Sequence, residues 1–149
     1  MVGQARVREL IRRRYARGDL RYVCAEDVTH PNGSTADCLA VETTGIGQII
    51  GHEIQTCRRD WVVEMCNLAN SAVWRGLCHR WLLVVSDESI VHDGELPEGW
   101  GLLVAGPTRL RLRVRPSVIA HPRPVAADEM QLIRQAAAMT PQADFLRAG

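Results

Sequence analysis

Apolar residues recur three or four apart at Val7, Leu10, Ile11 and Tyr15, which predicts an amphipathic helix over residues 2–17 that stops at Gly18. Its other face carries Arg6, Arg12, Arg13 and Arg17, a solvated face or one that touches a phosphate backbone. The period then falls to two. "LRYVCAEDV" reads as a strand, "HPNGST" as a turn, and residues 36–43 and 48–56 as a hairpin turning near Gly45. Helical spacing returns over 59–77, interrupted near "CNLANS", and "RWLLVVS" and "WGLLVAG" follow as buried strands around the polar turn "DESIVHDGELPEG". Residues 109–115, "RLRLRVR", alternate strictly, with Leu110, Leu112 and Val114 on one face and Arg109, Arg111, Arg113 and Arg115 on the other. Charges on an edge strand block aggregation, and the same row suits DNA; both readings hold together. A proline-bearing connector, a helix "DEMQLIRQAAAM" with acids in its first turn, and a loose tail complete the chain.

The hairpin carries the candidate chemistry. With the turn centred on Gly45, opposed residues have numbers summing to about 90, so Asp37 faces Glu53 with Cβ atoms about 4.5–5.5 Å apart. Gln55 shares the face of Glu53. Opposed like charges cost stability unless a cation or a shared proton relieves them. A divalent ion such as Mg²⁺, which takes one or two carboxylates plus waters and a substrate phosphate, is one answer. A register shifted by a residue or two, leaving both acids exposed, is the other.

At 149 residues, with 46% hydrophobic and 23% charged residues, the chain predicts a single domain over 1–149, with a core over about 20–116 and a C-terminal helix and tail over 126–149. No apolar stretch has the roughly 18–20 residues of a membrane span, and the N-terminus lacks the apolar centre of a signal peptide. The expected compartment is the cytoplasm, a host's cytoplasm for a phage-encoded chain. Five cysteines without CxxC spacing read mostly as buried thiols, and Cys57, Cys66, Cys78 and His79 match no common zinc spacing. All 18 basic residues are arginine, which fits a GC-rich genome and also supplies forked donors for phosphate.

The segments "ADCLAV", "GHEIQTCRRDW", "CHRWLLVVSDESIV" and "GELPEGWGLLV", in that order over roughly residues 35–115, resemble the PD-(D/E)XK nuclease superfamily, and within it the MmcB-like branch of bacteria and phages. The resemblance implies an α/β fold with a restriction-endonuclease-like core, a mixed sheet flanked by helices, that processes DNA with Mg²⁺ or Mn²⁺. It implies Asp37 and Glu53 as metal ligands and catalytic acids. Gln55 stands at the catalytic lysine, keeping hydrogen bonds but no charge. Arg58, Asp60 and Trp61 match a "SRxDW" segment with Cys57 at its serine, Asp60 as a cap and Trp61 as core. Arg58, Arg59 and Arg80 are candidate substrate-binding residues, with an ion pair the first role for Arg80 and a phosphate contact the second. His79 replaces an aspartate of the branch. Glu9, the acid of the first helix, is an accessory metal candidate or an intrahelical ion-pair partner.

The expected function is a Mg²⁺-dependent deoxyribonuclease. The alternative is a nuclease-derived DNA-binding or protein-binding module without catalysis, a phage or repair accessory factor. DNA, a host protein and a second copy of the chain are the expected partners, and a membrane is not.

Overall fold

The computed structural model describes residues 2–16, 21–44 and 47–143, so Gly18, Arg17, the turn at Gly45 and the end of the tail lie outside the described residues. Six β-prone runs become β1 (Tyr22–Thr29), β2 (Thr35–Glu42), β3 (Ile49–Gln55), β4 (Arg80–Val85), β5 (Gly101–Ala105) and β6 (Leu110–Val114). They form one sheet in chain order. The first three strands are antiparallel, β3, β4 and β5 are parallel, and β6 returns antiparallel. The parallel step from β3 to β4 requires a long connection. α2 (Arg58–Met65), a 3₁₀ turn (Leu68–Ser71) and α3 (Ala72–Leu77) supply it, so the helical stretch is broken where "CNLANS" interrupts the pattern. α1 (Gln4–Ala16) and α4 (Ala127–Met139) complete an α/β fold with a mixed sheet flanked by helices.

Side-chain alternation divides the core in two. Val7, Leu10 and Ile11 of α1 pack with Ile50, Ile54, Leu82 and Val84 on one face of the sheet. Trp61 of α2, Trp74 and Leu77 of α3 and Ile133 of α4 pack with Leu39, Ile49, Leu83 and Val85 on the other. Even-numbered residues of β3 therefore face α1, and the odd-numbered Gly51, Glu53 and Gln55 face α2 and α3. All of β3 is buried.

The two sheet edges are finished differently. At β1, Gln142 receives the Cys24 N–H on Oε1 (3.0 Å) and donates from Nε2 to the Cys24 carbonyl (2.8 Å), as a neighbouring strand would. Thr140 Oγ1 accepts from the Glu26 N–H (2.9 Å). The tail expected to be loose is thus docked as far as Ala143. At β6 only Leu110 is buried, and Leu112 and Val114 are 41% and 42% exposed. The alternating pattern of β6 is real, but the helix on that face stops short of covering it.

Among the described residues no helix is long and apolar enough to cross a membrane. The five cysteines are free thiols.

Gly51 lies beside Trp81 in the parallel ladder, and a Cβ there would meet the Trp81 ring at 2.1 Å and Cys78 Sγ at 2.9 Å. The indole crosses β3 only because that position has no side chain. Gly51→Ala is expected to destabilise the fold by about 1–3 kcal/mol through overpacking, read as a lowered midpoint in thermal or urea unfolding; an unchanged midpoint would mean that Trp81 does not lie there.

Candidate active site

Strand pairing fixes the site. Cys38 pairs with His52 and Leu39 with Gly51, numbers that sum to 90, so the register predicted from the turn holds and its next step sets Asp37 opposite Glu53. The Ile54 N–H donates to Asp37 Oδ2 at 2.7 Å, and the Asp37 and Glu53 carboxyls are hydrogen-bonded to each other. Glu53 is 7% exposed. Burial first, then the Asp37 charge, pushes its carboxyl up to about 9, and burial also raises Asp37. The Asp37 carboxylate is held down by the Ile54 N–H and by a hydrogen bond from Glu53, so the pair keeps its shared proton on Glu53.

Two helices add groups that the sequence pattern did not single out. Glu64 of α2 is half-buried, is raised by burial and by the Asp37 charge, and has an Oε1 that is buried without a hydrogen-bond partner. Its position three residues after the core Trp61 was the readable signal, since such residues share a helix face. Arg75 of α3 is the cation that acts on both Glu53 and Glu64. Its Nε donates to Ser71 Oγ (3.2 Å), its Nη2 to the Leu68 carbonyl (2.9 Å), and its guanidinium lies 5.5 Å from the Trp100 ring centre. The 3₁₀ turn thereby fixes Arg75 beside the acids.

The acidic row extends across a third strand. Glu26 pairs with Cys38 and Val28 with Ala36, which sets Asp27 opposite Asp37 on its other side. Asp27 has a left-handed backbone (φ 53°), an uncommon state for a residue with a side chain. Arg8 of α1 holds it, donating to Asp27 Oδ1 at 2.9 Å and to the Asp37 carbonyl at 3.3 Å.

Asp37, Glu53 and Glu64 offer only oxygen donors, with Arg75 acting on Glu53 and Glu64 and Arg8 on Asp37. Those donors fit Mg²⁺ or Mn²⁺, which uses one or two carboxylates and keeps several waters. Among the described residues no group of three or more His, Cys, Asp or Glu side chains is arranged to hold an ion by itself.

No family model matches the chain, and no curated protein does. A solved structure does: the SPO1766 protein of unknown function from Silicibacter pomeroyi is 23% identical, with a TM-score of 0.51 over 80% of this chain and 73% of that one. The likeness is one of fold.

The remaining candidates divide by location. Gln55 ends β3, buried, on the face of Glu53. Arg58 forms a two-pronged ion pair with Glu95, Nη2 to Oε2 at 2.5 Å, and also donates to the Ile90 carbonyl; Glu95 is pulled down to about 2 by that hydrogen bond. It ties the β4–β5 connection to α2. Arg59 is exposed. Arg80 pairs in register with Ile50 on the α1 face and donates to Gln48 at 2.8 Å, so the sheet separates it from the carboxyls. Glu9 bridges Arg6 (3.0 Å) and Arg13 (2.9 Å) along α1, the intrahelical alternative. Asp60 is exposed in the first turn of α2 and caps nothing; Cys57 occupies the N-cap position without a side-chain bond. His79 accepts the Ile49 N–H on Nδ1 (3.2 Å).

His52 illustrates how completely one residue step changes role. It faces α1, donates from Nδ1 to the Cys38 carbonyl (3.2 Å) and accepts the Tyr15 hydroxyl on Nε2 (2.8 Å). Burial lowers it to about 4, so it stays neutral as a core hydrogen-bonding group.

The raised Glu53 carboxyl has a stability consequence. Unfolded, it titrates near about 4.3; folded, it holds its proton to about 9. Its contribution is therefore full below the first value and lost as pH rises toward the second. Without divalent ions, melting temperature should fall between pH 5 and pH 8 more steeply in the wild type than in Glu53→Gln; parallel profiles would contradict the assignment.

Proposed function

We propose that the chain is a Mg²⁺- or Mn²⁺-dependent deoxyribonuclease of the PD-(D/E)XK type, hydrolysing phosphodiester bonds at the Asp37–Glu53 pair. The observation that carries this reading is the pair itself: the buried Glu53 carboxyl against the half-buried Asp37 carboxyl, beside a third with an unpartnered oxygen. A cation would relieve that arrangement and a substrate phosphate would complete its coordination. The sequence resemblance supports the same reading.

Asp37 and Glu53 would hold the ion, which when bound lowers the pKa of water and steadies charge on phosphorus. The chain's own groups prepare the site. The Ile54 N–H keeps the Asp37 carboxylate aimed at Glu53, and Glu53 gives up its proton when a cation replaces it. Gln55, at the strand end, can orient a water by accepting and donating hydrogen bonds but brings no charge. Arg75 brings a fixed positive charge to the same carboxyl cluster. Trp61, Trp74 and Leu77 form part of the core on the sheet face that carries Glu53.

One observation favours the second reading, a nuclease-derived module that binds DNA or protein without cutting: Gln55 stands where the resemblance calls for lysine, and Arg58 is engaged by Glu95. Loss of one charged donor costs about 10²–10³ in rate, which leaves slow cleavage measurable.

Supercoiled plasmid and single-stranded DNA incubated with Mn²⁺ should be cut slowly by the wild type and at least about 100-fold more slowly by Asp37→Asn, which keeps an acceptor for Ile54; Gln55→Lys should be faster by up to about 100-fold. Intact DNA in every case, with no heat of Mn²⁺ binding by calorimetry, would exclude the nuclease and leave the binding module.

A further inference from the structure

Across the sheet from the carboxyls, two adjoining cavities open between α1 and β6. One, of about 300 Å³, is lined by Tyr15, Tyr22, Leu10, Arg13, Arg14 and Arg109. The other, of about 470 Å³, shares Arg14 and Tyr15 and adds Arg80 and Arg115 around a floor that includes Ile50, Leu82 and Leu112. Among the described residues no acid lines either cavity.

Ion pairing elsewhere sharpens this distribution. Arg12 is held by Glu26, Arg6 and Arg13 by Glu9, and Arg111 and Arg113 by Glu88 on the far face of β6. Arg109 and Arg115 flank β6 and line the cavities, although strict alternation would set them with Arg111 and Arg113; they are exposed and form no ion pair among the described residues. Arg80 donates to the neutral Gln48 and forms no ion pair among the described residues, and Arg14 lies beside the Tyr15 hydroxyl. Glu42 accepts from the hydroxyl of the lining residue Tyr22 at 3.3 Å.

The same edge has not been closed. β1 is sealed by Thr140 and Gln142, whereas β6 presents exposed Leu112 and Val114, followed by exposed Val118 and Ile119. A second copy pairing there would set arginine against arginine, which repels. An anionic partner removes that conflict. Guanidinium groups spaced along two aromatic and apolar recesses match a strand in which phosphates alternate with flat bases, the combination that single-strand binders use.

We infer that the α1–β6 face binds single-stranded nucleic acid, with phosphates on Arg14, Arg80, Arg109 and Arg115 and bases entering the two cavities. This goes beyond the nuclease reading, because the face uses none of the carboxyls and lies on the other side of the sheet. It gives the chain a hold on a strand that is independent of cutting.

Fluorescence anisotropy with a fluorescein-labelled oligothymidylate of about a dozen nucleotides, in EDTA, tests it. The wild type should bind with an affinity that falls as salt rises. Arg109→Glu and Arg115→Glu should each weaken binding about 10-fold and reduce the log–log salt slope by about one. Arg134→Glu, the same charge change at an exposed position of α4, should stay within about twofold. Absence of binding at low salt, or an equal loss in Arg134→Glu, would overturn the inference. So would displacement of the probe by polyglutamate more readily than by unlabelled oligonucleotide, which would assign the face to an acidic protein. Because EDTA removes divalent ions, failure here leaves the Mn²⁺ and cleavage experiment standing, and the reverse also holds.

Discussion

Asp37 and Glu53 face each other from neighbouring strands, largely out of water, and a fold that buries two carboxyls in contact must provide a shared proton or a cation for them. Much of the surrounding structure answers that requirement. β3 is buried along its whole length, so Glu53 cannot turn to solvent, and the Ile54 N–H holds Asp37 in place from the same strand. Trp81 crosses β3 over Gly51, and the tryptophan-rich packing of α2 and α3 seals the face behind it. Charge enters this enclosure from the helices: Glu64 adds to the negative excess and Arg75 offsets part of it. The strained Asp27 and its Arg8 counterion border the pair on the other side.

The sheet keeps two chemistries apart. On the α2–α3 face, oxygen donors gather with Arg75; on the α1 face, arginines gather around apolar recesses with no acid among their described lining. Alternation along a strand makes this separation inexpensive, since one residue step changes the side. Glu53 and His52 are adjacent, yet the first belongs to a charged cluster and the second is a neutral core residue bonded to Tyr15. The arginine-only composition acquires structural meaning only when the pairing is known, because many of the guanidiniums are committed to acids of the same chain and a few are not.

Local periodicity carried the strands, the broken helix between β3 and β4, and the hairpin register, because each depends on residues close in the chain. The opposition of Asp37 and Glu53 followed from the turn position alone. Glu64 and Arg75 were hidden because their approach depends on how α2, the 3₁₀ turn and α3 are bent over the sheet. The motif position of Arg80 implied an ion pair first and a phosphate contact second, and its parity on β4 sends it to the face opposite the acids. The strict alternation of residues 109–115 identified a strand but not how far α1 would reach, and Leu112 and Val114 remain exposed for that reason. Gln142, closing β1 from far along the chain, left no local signal at all.

The protonation state of the buried pair decides the account, and carbon-detected NMR of the side-chain carboxyls over pH reads it directly. The Glu53 resonance should titrate far above an ordinary carboxyl, toward about 9, and should move down both in Asp37→Asn and on addition of Mg²⁺. A Glu53 that titrates near an ordinary value of about 4.3 and ignores both changes would mean that the two acids neither share a proton nor await a cation.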